Sequence, residues 1–278
     1  MGKLIWLASY PKSGNTWLRI FLHNLLRNPD QPFDINALTS FSAVDSVGGL
    51  YQRIDPRSPL DMSFEEMAKL RPAAHRLLTQ SFPDDVFVKT HNALGLDYGV
   101  PMITPEVTAG MVYVVRNPLD VVVSYAHHLN ATIDDTIKVM AASGFRTPKS
   151  ADWISEKMGS WSEHVASWTA RPLPRLHVMR YEDMQARPLE TFGGFARWMG
   201  INPPRERLEK ALRHSSFDEA KRQEAAHGFR EKSRTAPNFF RAGRVGEWRE
   251  KLTPAQVRAI VEAHRVQMQR FGYVPEGM

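Results

Sequence analysis

The opening of the chain restricts its fold more than any other segment. Leu4-Ile-Trp-Leu-Ala-Ser9 is an apolar run of strand length, and from about Thr16 to Arg27 the residues Trp17, Leu18, Phe21, Leu22, Leu25 and Leu26 recur at the spacing of one helix face. Only Tyr10-Pro-Lys-Ser-Gly-Asn15 stands between them. Strand, tight turn and helix in immediate succession make a βα unit whose turn lies where the N–H groups and dipole of a helix N-terminus can hold an anion. Gly14 permits close approach of a ligand to the backbone, Ser13 and Thr16 offer hydroxyl donors, and Lys12 offers a cation. The plain alternative is a βα turn whose lysine is solvated. Gly-Lys-Ser/Thr is absent, so the magnesium-binding signature of a Walker loop is not met, and that weakens a nucleotide-kinase reading.

The alternation continues along the chain. Strands are expected at Val86 to Lys89, at the β-branched run Met111 to Val115 and at Arg175 to Tyr181. Helices are expected from the capping box Ser63-Phe-Glu-Glu66 to Leu78, at Pro118 to Leu129, Thr132 to Ala141, Trp161 to Trp168, Leu189 to Met199 and Arg205 to His214, and from Thr253-Pro254 to Phe271, with Gly272 as the stop. Residues 28–62 read as irregular, 143–152 as a mobile loop, and 228–247 as a long basic stretch without periodicity. The expectation is one α/β domain over residues 1–278, with a central, mostly parallel sheet flanked by helices and a P-loop-like phosphate-binding loop after the first strand.

Composition narrows the ligand and the compartment. A formal charge of +6 favours an anionic partner, and 278 residues with 42% hydrophobic content suffice for one sizeable core. The chain has no cysteine, which excludes a disulfide framework, a thiol nucleophile and a Cys-based zinc site. No window approaches the roughly 20 apolar residues of a membrane helix. The apolar run at the N-terminus is too short for a secretion signal, so a cytoplasmic protein is expected. The basic 228–251 stretch raises a non-catalytic binder of nucleic acid or acidic glycan, but no aromatic-interleaved basic run accompanies it, so no nucleic-acid partner is expected.

Three more clusters carry chemistry. Arg116-Asn-Pro-Leu-Asp120, followed by Ser124, comes directly after an apolar strand, at the carboxyl edge where open α/β sheets bind ligands, and an arginine there can grip a phosphate bidentately. The competing reading is a structural Arg116 paired with Asp120. Lys89-Thr-His91 ends another strand, and a histidine there is chemically suited to serve as a general base, a role worth roughly 10²- to 10⁴-fold in rate, although residue type alone does not choose among the ten histidines. His127 and His128 compete for that role but read as a helix face or pocket wall. Arg241-Ala-Gly243-Arg-Val-Gly246-Glu-Trp248 sets a cation beside glycines that allow close backbone approach.

Tyr10-Pro-Lys-Ser-Gly-Asn-Thr-Trp17 resembles the 5′-phosphosulfate loop of the cytosolic-type sulfotransferases that use 3′-phosphoadenosine-5′-phosphosulfate (PAPS), with Asn15 where the family more often has Thr. The resemblance implies that Lys12, Ser13, Gly14, Asn15 and Thr16 line the 5′-phosphate and that Trp17 stacks on adenine; on its own terms Trp17 is equally a core residue of its helix. It implies further that Arg116 and Ser124 contact the 3′-phosphate, that Tyr181, Ser215 and Phe217 hug adenine, and that Arg241, Ala242 and Gly243 close over the nucleotide. Ala242 stands where many members have Lys. His91 would be the base, and Lys89 would join Lys12 in neutralising the transferring group.

Matches in the family's order run from residue 4 to about 250, and residues 28–62 and 130–160, with Phe41, Leu50, Tyr51 and Phe145, are left for the acceptor. The implied reaction is metal-free sulfuryl transfer to a hydroxyl of a small-molecule phenol or alcohol, yielding the bisphosphate PAP. A glycan or lipid hydroxyl is the alternative acceptor, and a magnesium-dependent nucleotide kinase the remoter alternative. Arg249, Pro254 and Arg258 depart from the family's dimer segment, so either a monomer or a homodimer is compatible with the sequence.

Overall fold

The structure, a computed structural model, describes residues 2–233 and 236–278; Arg234 and Thr235 of the basic stretch lie outside the described residues. The chain begins with β1 (Leu4–Ser9), α1 (Asn15–Arg27), β2 (Ser42–Val44), α2 (Gly48–Gln52), α3 (Phe64–Leu78) and β3 (Val86–Thr90). A short hairpin of β4 (Leu96–Asp97) and β5 (Val100–Pro101) precedes β6 (Thr108–Val115), α4 (Pro118–Leu129), α5 (Ile133–Ala141), α6 (Trp161–Thr169) and β7 (Leu176–Arg180). The remainder is helical: α7 (Tyr181–Ala186), α8 (Pro188–Trp198), α9 (Arg205–His214), α10 (Phe217–His227), α11 (Trp248–Lys251) and α12 (Pro254–Phe271).

The central sheet has the order β2-β3-β1-β6-β7. β1 and β2 both run parallel to β3, with Leu4 opposite Val86, Ala8 opposite Thr90 and Val44 opposite Lys89. This is the expected α/β class. Capping boxes at Ser63/Glu66, Ser160/Glu163 and Thr253/Gln256 start α3, α6 and α12. Pro118 occupies the first turn of α4, and Gly272, at φ +68°, ends α12. Pro254 thus serves the start of α12.

The chain divides into two compact units, each assembled from three segments. The first comprises residues 1–10, 42–113 and 139–178, the second residues 11–41, 114–138 and 179–278. In the first, Trp6, Val86, Val88, Val112 and Tyr113 are fully buried, and the Tyr113 ring stacks 5.6 Å from Trp168. In the second, Leu18, Phe21, Leu22 and Leu25 of α1 are buried, and Phe21 meets Phe192 of α8 at 4.2 Å. Each such side chain withdrawn from water contributes about 1.5–3 kcal/mol.

Three local expectations change. Tyr181 begins a helix instead of ending a strand. Residues 28–62 contain β2, α2 and short 3₁₀ turns. The segment expected to be a mobile loop is pinned instead: Thr147 N–H donates to Glu156 O (3.0 Å), Ser150 N–H to Trp153 O (2.9 Å) and Met158 N–H to Phe145 O (2.9 Å). These bonds satisfy backbone groups that a free loop would leave to water.

Candidate active site

In the second unit the loop after β1 takes the shape that close backbone approach demands. Lys12 has φ +64° and Gly14 φ +107°, and α1 starts at Asn15 without a side-chain cap on its first N–H groups. Ser13, Asn15 and Thr16 are buried, and the Ser13 Oγ has no hydrogen-bond partner. A Cβ added at Gly14 would lie 2.7 Å from Tyr181 Cδ2, so the glycine is required by both φ and space.

Arg116 is held against this loop. Its Nη1 donates to the Lys12 carbonyl (3.0 Å), its Nη2 to the Arg244 carbonyl (3.0 Å), and its guanidinium carbon lies 4.2 Å from the centre of the Tyr181 ring. Its Nε is buried without a partner. Asp120 is not its counter-ion: the carboxylate accepts the N–H groups of Gly246 (2.7 Å) and Trp248 (3.0 Å). The structural pairing raised from the sequence is therefore replaced by a bridge between α4 and the late glycine segment. Ser124, on α4, is half-buried.

Tyr181 ties these pieces together. Its hydroxyl donates to Gly243 O (3.2 Å) and accepts from Gln185 Nε2 (3.1 Å), which also donates to Gly243 O. Burial pushes its phenol pKa up, opposed by the Arg116 charge. Trp17, Tyr181, Ser215, Phe217 and Phe240 line a cavity of about 50 Å³. Trp17 meets Tyr181 edge-on at 5.8 Å and Phe192 at 5.3 Å, so it is at once a pocket wall and part of the α1 packing. Ser215 is buried at the end of α9, and Gly243, at φ +61°, approaches the Phe217 ring so closely that a Cβ would overlap it.

The late basic segment is anchored by carboxylates. Arg19 in α1, fully buried, makes two 2.7 Å bonds to Glu231. The main-chain N–H groups of Phe239 and Phe240 donate to Glu224 (2.7 and 2.8 Å), which brings the Phe239 ring to 3.8 Å from Lys12 Nζ. His127 Nε2 bonds Asn238 Oδ1 (2.9 Å) and His128 meets Phe239 edge-on at 6.4 Å, consistent with a helix face. Arg241 makes two 2.5 Å bonds to Glu247, whose pKa it lowers, while Ala242 is half-buried beside it.

In the first unit, parallel register brings the ends of β1 and β3 side by side, so that Ser9 and His91 meet. His91 Nδ1 lies 2.7 Å from the Ser9 carbonyl oxygen, which can only accept. Nδ1 therefore carries the proton and the imidazole lone pair sits on Nε2. The His91 carbonyl accepts from His164 Nε2 (3.0 Å), and His164 Nδ1 accepts from the Tyr113 hydroxyl (2.8 Å). Burial lowers the His164 pKa to about 4, keeping that ring neutral. Lys89, also half-buried, lies on β3 two residues before His91.

Sequence reading missed α10, Phe239, Glu224, His164 and the carboxylates Asp45 and Glu156. Ser216, accepting from Glu219 N–H (3.3 Å), was a legible start signal for α10. Nothing local marks the others, because their roles arise from partners distant in the chain.

The chain matches the family described as "Sulfotransferase domain" over residues 3–272. It is 26% identical to Sulfotransferase 2A6 of Rattus norvegicus over 98% of this chain and 86% of the relative. Sulfotransferase 1A1 of Canis lupus familiaris is 27% identical, with 90% of this chain and 78% of the relative covered. Among solved structures, retinol dehydratase in complex with androsterone and inactive cofactor PAP aligns at TM-score 0.66 and 20% identity, over 96% of this chain and 80% of that one. Mouse sulfotransferase SULT7A1 complexed with PAP aligns at TM-score 0.62 and 22% identity, over 98% and 90%. The sequence match across nearly the whole chain makes this protein a member of the sulfotransferase family.

Proposed function

We propose that this sulfotransferase moves a sulfuryl group from PAPS to a hydroxyl of a small-molecule acceptor, with His91 as general base and Lys12 and Lys89 as the cations at the transferring group. The observation that carries the donor assignment is the convergence on Tyr181 of the phosphate loop, Arg116 and Gly243. The residues fit a bisphosphorylated adenosine. The unpartnered Ser13 Oγ and the uncapped N-terminus of α1 suit the 5′-phosphate, the unpartnered Arg116 Nε suits the 3′-phosphate together with Ser124, and the Trp17 and Phe217 rings, which line one cavity, offer aromatic contact to the base. Bound PAPS supplies an activated sulfuryl group with a bisphosphate leaving group.

The chain supplies the rest. The acceptor hydroxyl loses its proton to His91 Nε2, the nitrogen whose lone pair is set by the bond from Nδ1–H to Ser9 O. Lys12 and Lys89 offset charge on the departing oxygen. Holding both substrates in one orientation contributes the proximity term. Phenols and alcohols are the proposed acceptors.

A thermal-shift comparison tests the donor. PAP at a hundredfold excess over its dissociation constant stabilises by about 2.7 kcal/mol, whereas ATP with Mg²⁺ should move the melting temperature much less. Stronger stabilisation by ATP than by PAP would overturn the donor assignment. Radiolabelled PAPS offered with phenols, alcohols, amines, glycans and lipids identifies the acceptor class; transfer only to a glycan or lipid would replace the small-molecule reading.

A further inference from the structure

Two carboxylates grip the end of β3 in the first unit. Asp45, which follows β2, accepts from Thr90 Oγ1 (2.9 Å) and Asn92 Nδ2 (3.1 Å), while its own N–H donates to Lys89 O (3.3 Å). Glu156 Oε1 accepts the main-chain N–H of the residue between them, His91, at 3.2 Å. Residues 90, 91 and 92 are thus each bound by one or the other.

Glu156 is itself rigidly placed. Its N–H donates to Thr147 Oγ1 (2.8 Å), its carbonyl accepts from Thr147 N–H (3.0 Å), and the adjacent Lys157 N–H donates to Asn92 Oδ1 (2.8 Å). The cations of its own hairpin are engaged elsewhere, Arg146 on Asp97 and Lys157 on Asp97 (3.8 Å) and Leu96 O (3.0 Å). The charge that favours ionised Glu156 is Lys89, and the His91 N–H bond and Ser46 act in the same direction; burial, the largest influence, acts the other way and raises its pKa.

We propose that Glu156 is a positioning residue for sulfuryl transfer, fixing the His91 main chain by its hydrogen bond and setting the proton affinity of the His91 ring by its charge. The inference rests on the sulfotransferase reading above, with His91 as base. The groups facing this cluster are Lys89 on β3, His91 just after it, Asp45 after β2, Arg71 on α3, Tyr51 on α2 and His164 on α6. Arg71 favours ionised Asp45, and the Tyr51 phenol and His164 are both held neutral by burial. Glu156 is the carboxylate bonded to the His91 N–H. In its ionised form a carboxylate bonded there stabilises the imidazolium and raises its pKa.

Two substitutions separate the hydrogen bond from the charge. Glu156→Ala removes both and should lower kcat roughly tenfold or more while leaving the dissociation constant for PAP within about twofold. Glu156→Gln keeps an oxygen for the His91 N–H and should recover most of that loss, while moving the acid limb of kcat/KM to lower pH. The His91 ring resonance, followed by NMR, should titrate at lower pH in the same variant.

A Glu156→Ala enzyme with wild-type kcat, or a Glu156→Gln enzyme whose acid limb and His91 titration are unmoved, would overturn the proposal. If Glu156→Ala does not fold, the Glu156→Gln titration decides alone. A wild-type protein that neither transfers from PAPS nor is stabilised by PAP would overturn the functional reading and this proposal with it. Normal transfer with an unmoved limb would overturn only this proposal.

Discussion

The Arg116 guanidinium lies over the Tyr181 ring, its carbon 4.2 Å from the ring centre, while two of its nitrogens bind the carbonyls of Lys12 and Arg244. One side chain thus joins the phosphate loop to the late glycine segment and still presents an unpartnered Nε. Arg116→Ala is expected to weaken PAP binding roughly 10- to 100-fold, since a hydrogen bond to a charged group contributes about 1.5–3 kcal/mol. Arg116→Lys should recover little, because an ammonium lacks the planar fork that reaches both carbonyls. Calorimetric titration with PAP checks both.

Arg241 is expected to matter less. Its guanidinium is already paired with buried Glu247, so a phosphate must compete with that carboxylate. Arg241→Ala should raise the PAP dissociation constant by a smaller factor than Arg116→Ala. An equal or larger factor in the same titration would show that Arg241 leaves Glu247 on binding.

Gly14 carries strain that only glycine bears without cost. With φ +107° and Tyr181 Cδ2 2.7 Å from an added Cβ, Gly14→Ala should destabilise the fold by roughly 1–3 kcal/mol and weaken PAP binding as well. Denaturant unfolding with and without PAP measures both losses.

Asp45 makes stability depend on pH. Burial, with the Glu156 charge second, raises its pKa from 3.8 to about 7. A carboxyl raised in the folded state binds its proton more tightly there than in the unfolded chain, so its contribution is fully present below about pH 4 and is lost as pH rises toward about 7. Wild type should lose roughly 2–4 kcal/mol more than Asp45→Asn between those limits. Melting temperatures across that range, compared between the two proteins, test the sign.

Much of the architecture was legible because its signals are local. The βα unit at residues 4–27, the box at Ser63 and Glu66 and the Pro-initiated α4 and α12 each depend on neighbours in sequence. The proposed donor residues were singled out for a different reason: they sit in short motifs that resemble a family. What escaped was built from distance. Glu156 bonds His91 65 positions away, Glu231 pairs with Arg19 212 positions away, and the chain around neither carboxylate is periodic. The partners of Asp120 were not legible, and the competing pairing with Arg116 is not formed, because Gly246 and Trp248 reach the carboxylate through backbone N–H groups that every sequence possesses.

The central claim is transfer assisted by His91, and single-turnover transfer of label from PAPS to a reactive phenol tests it most directly. His91→Ala should slow the labelled step roughly 10²- to 10⁴-fold, with the stabilisation by PAP unchanged from wild type. A folded His91→Ala protein that transfers at the wild-type rate would contradict the account.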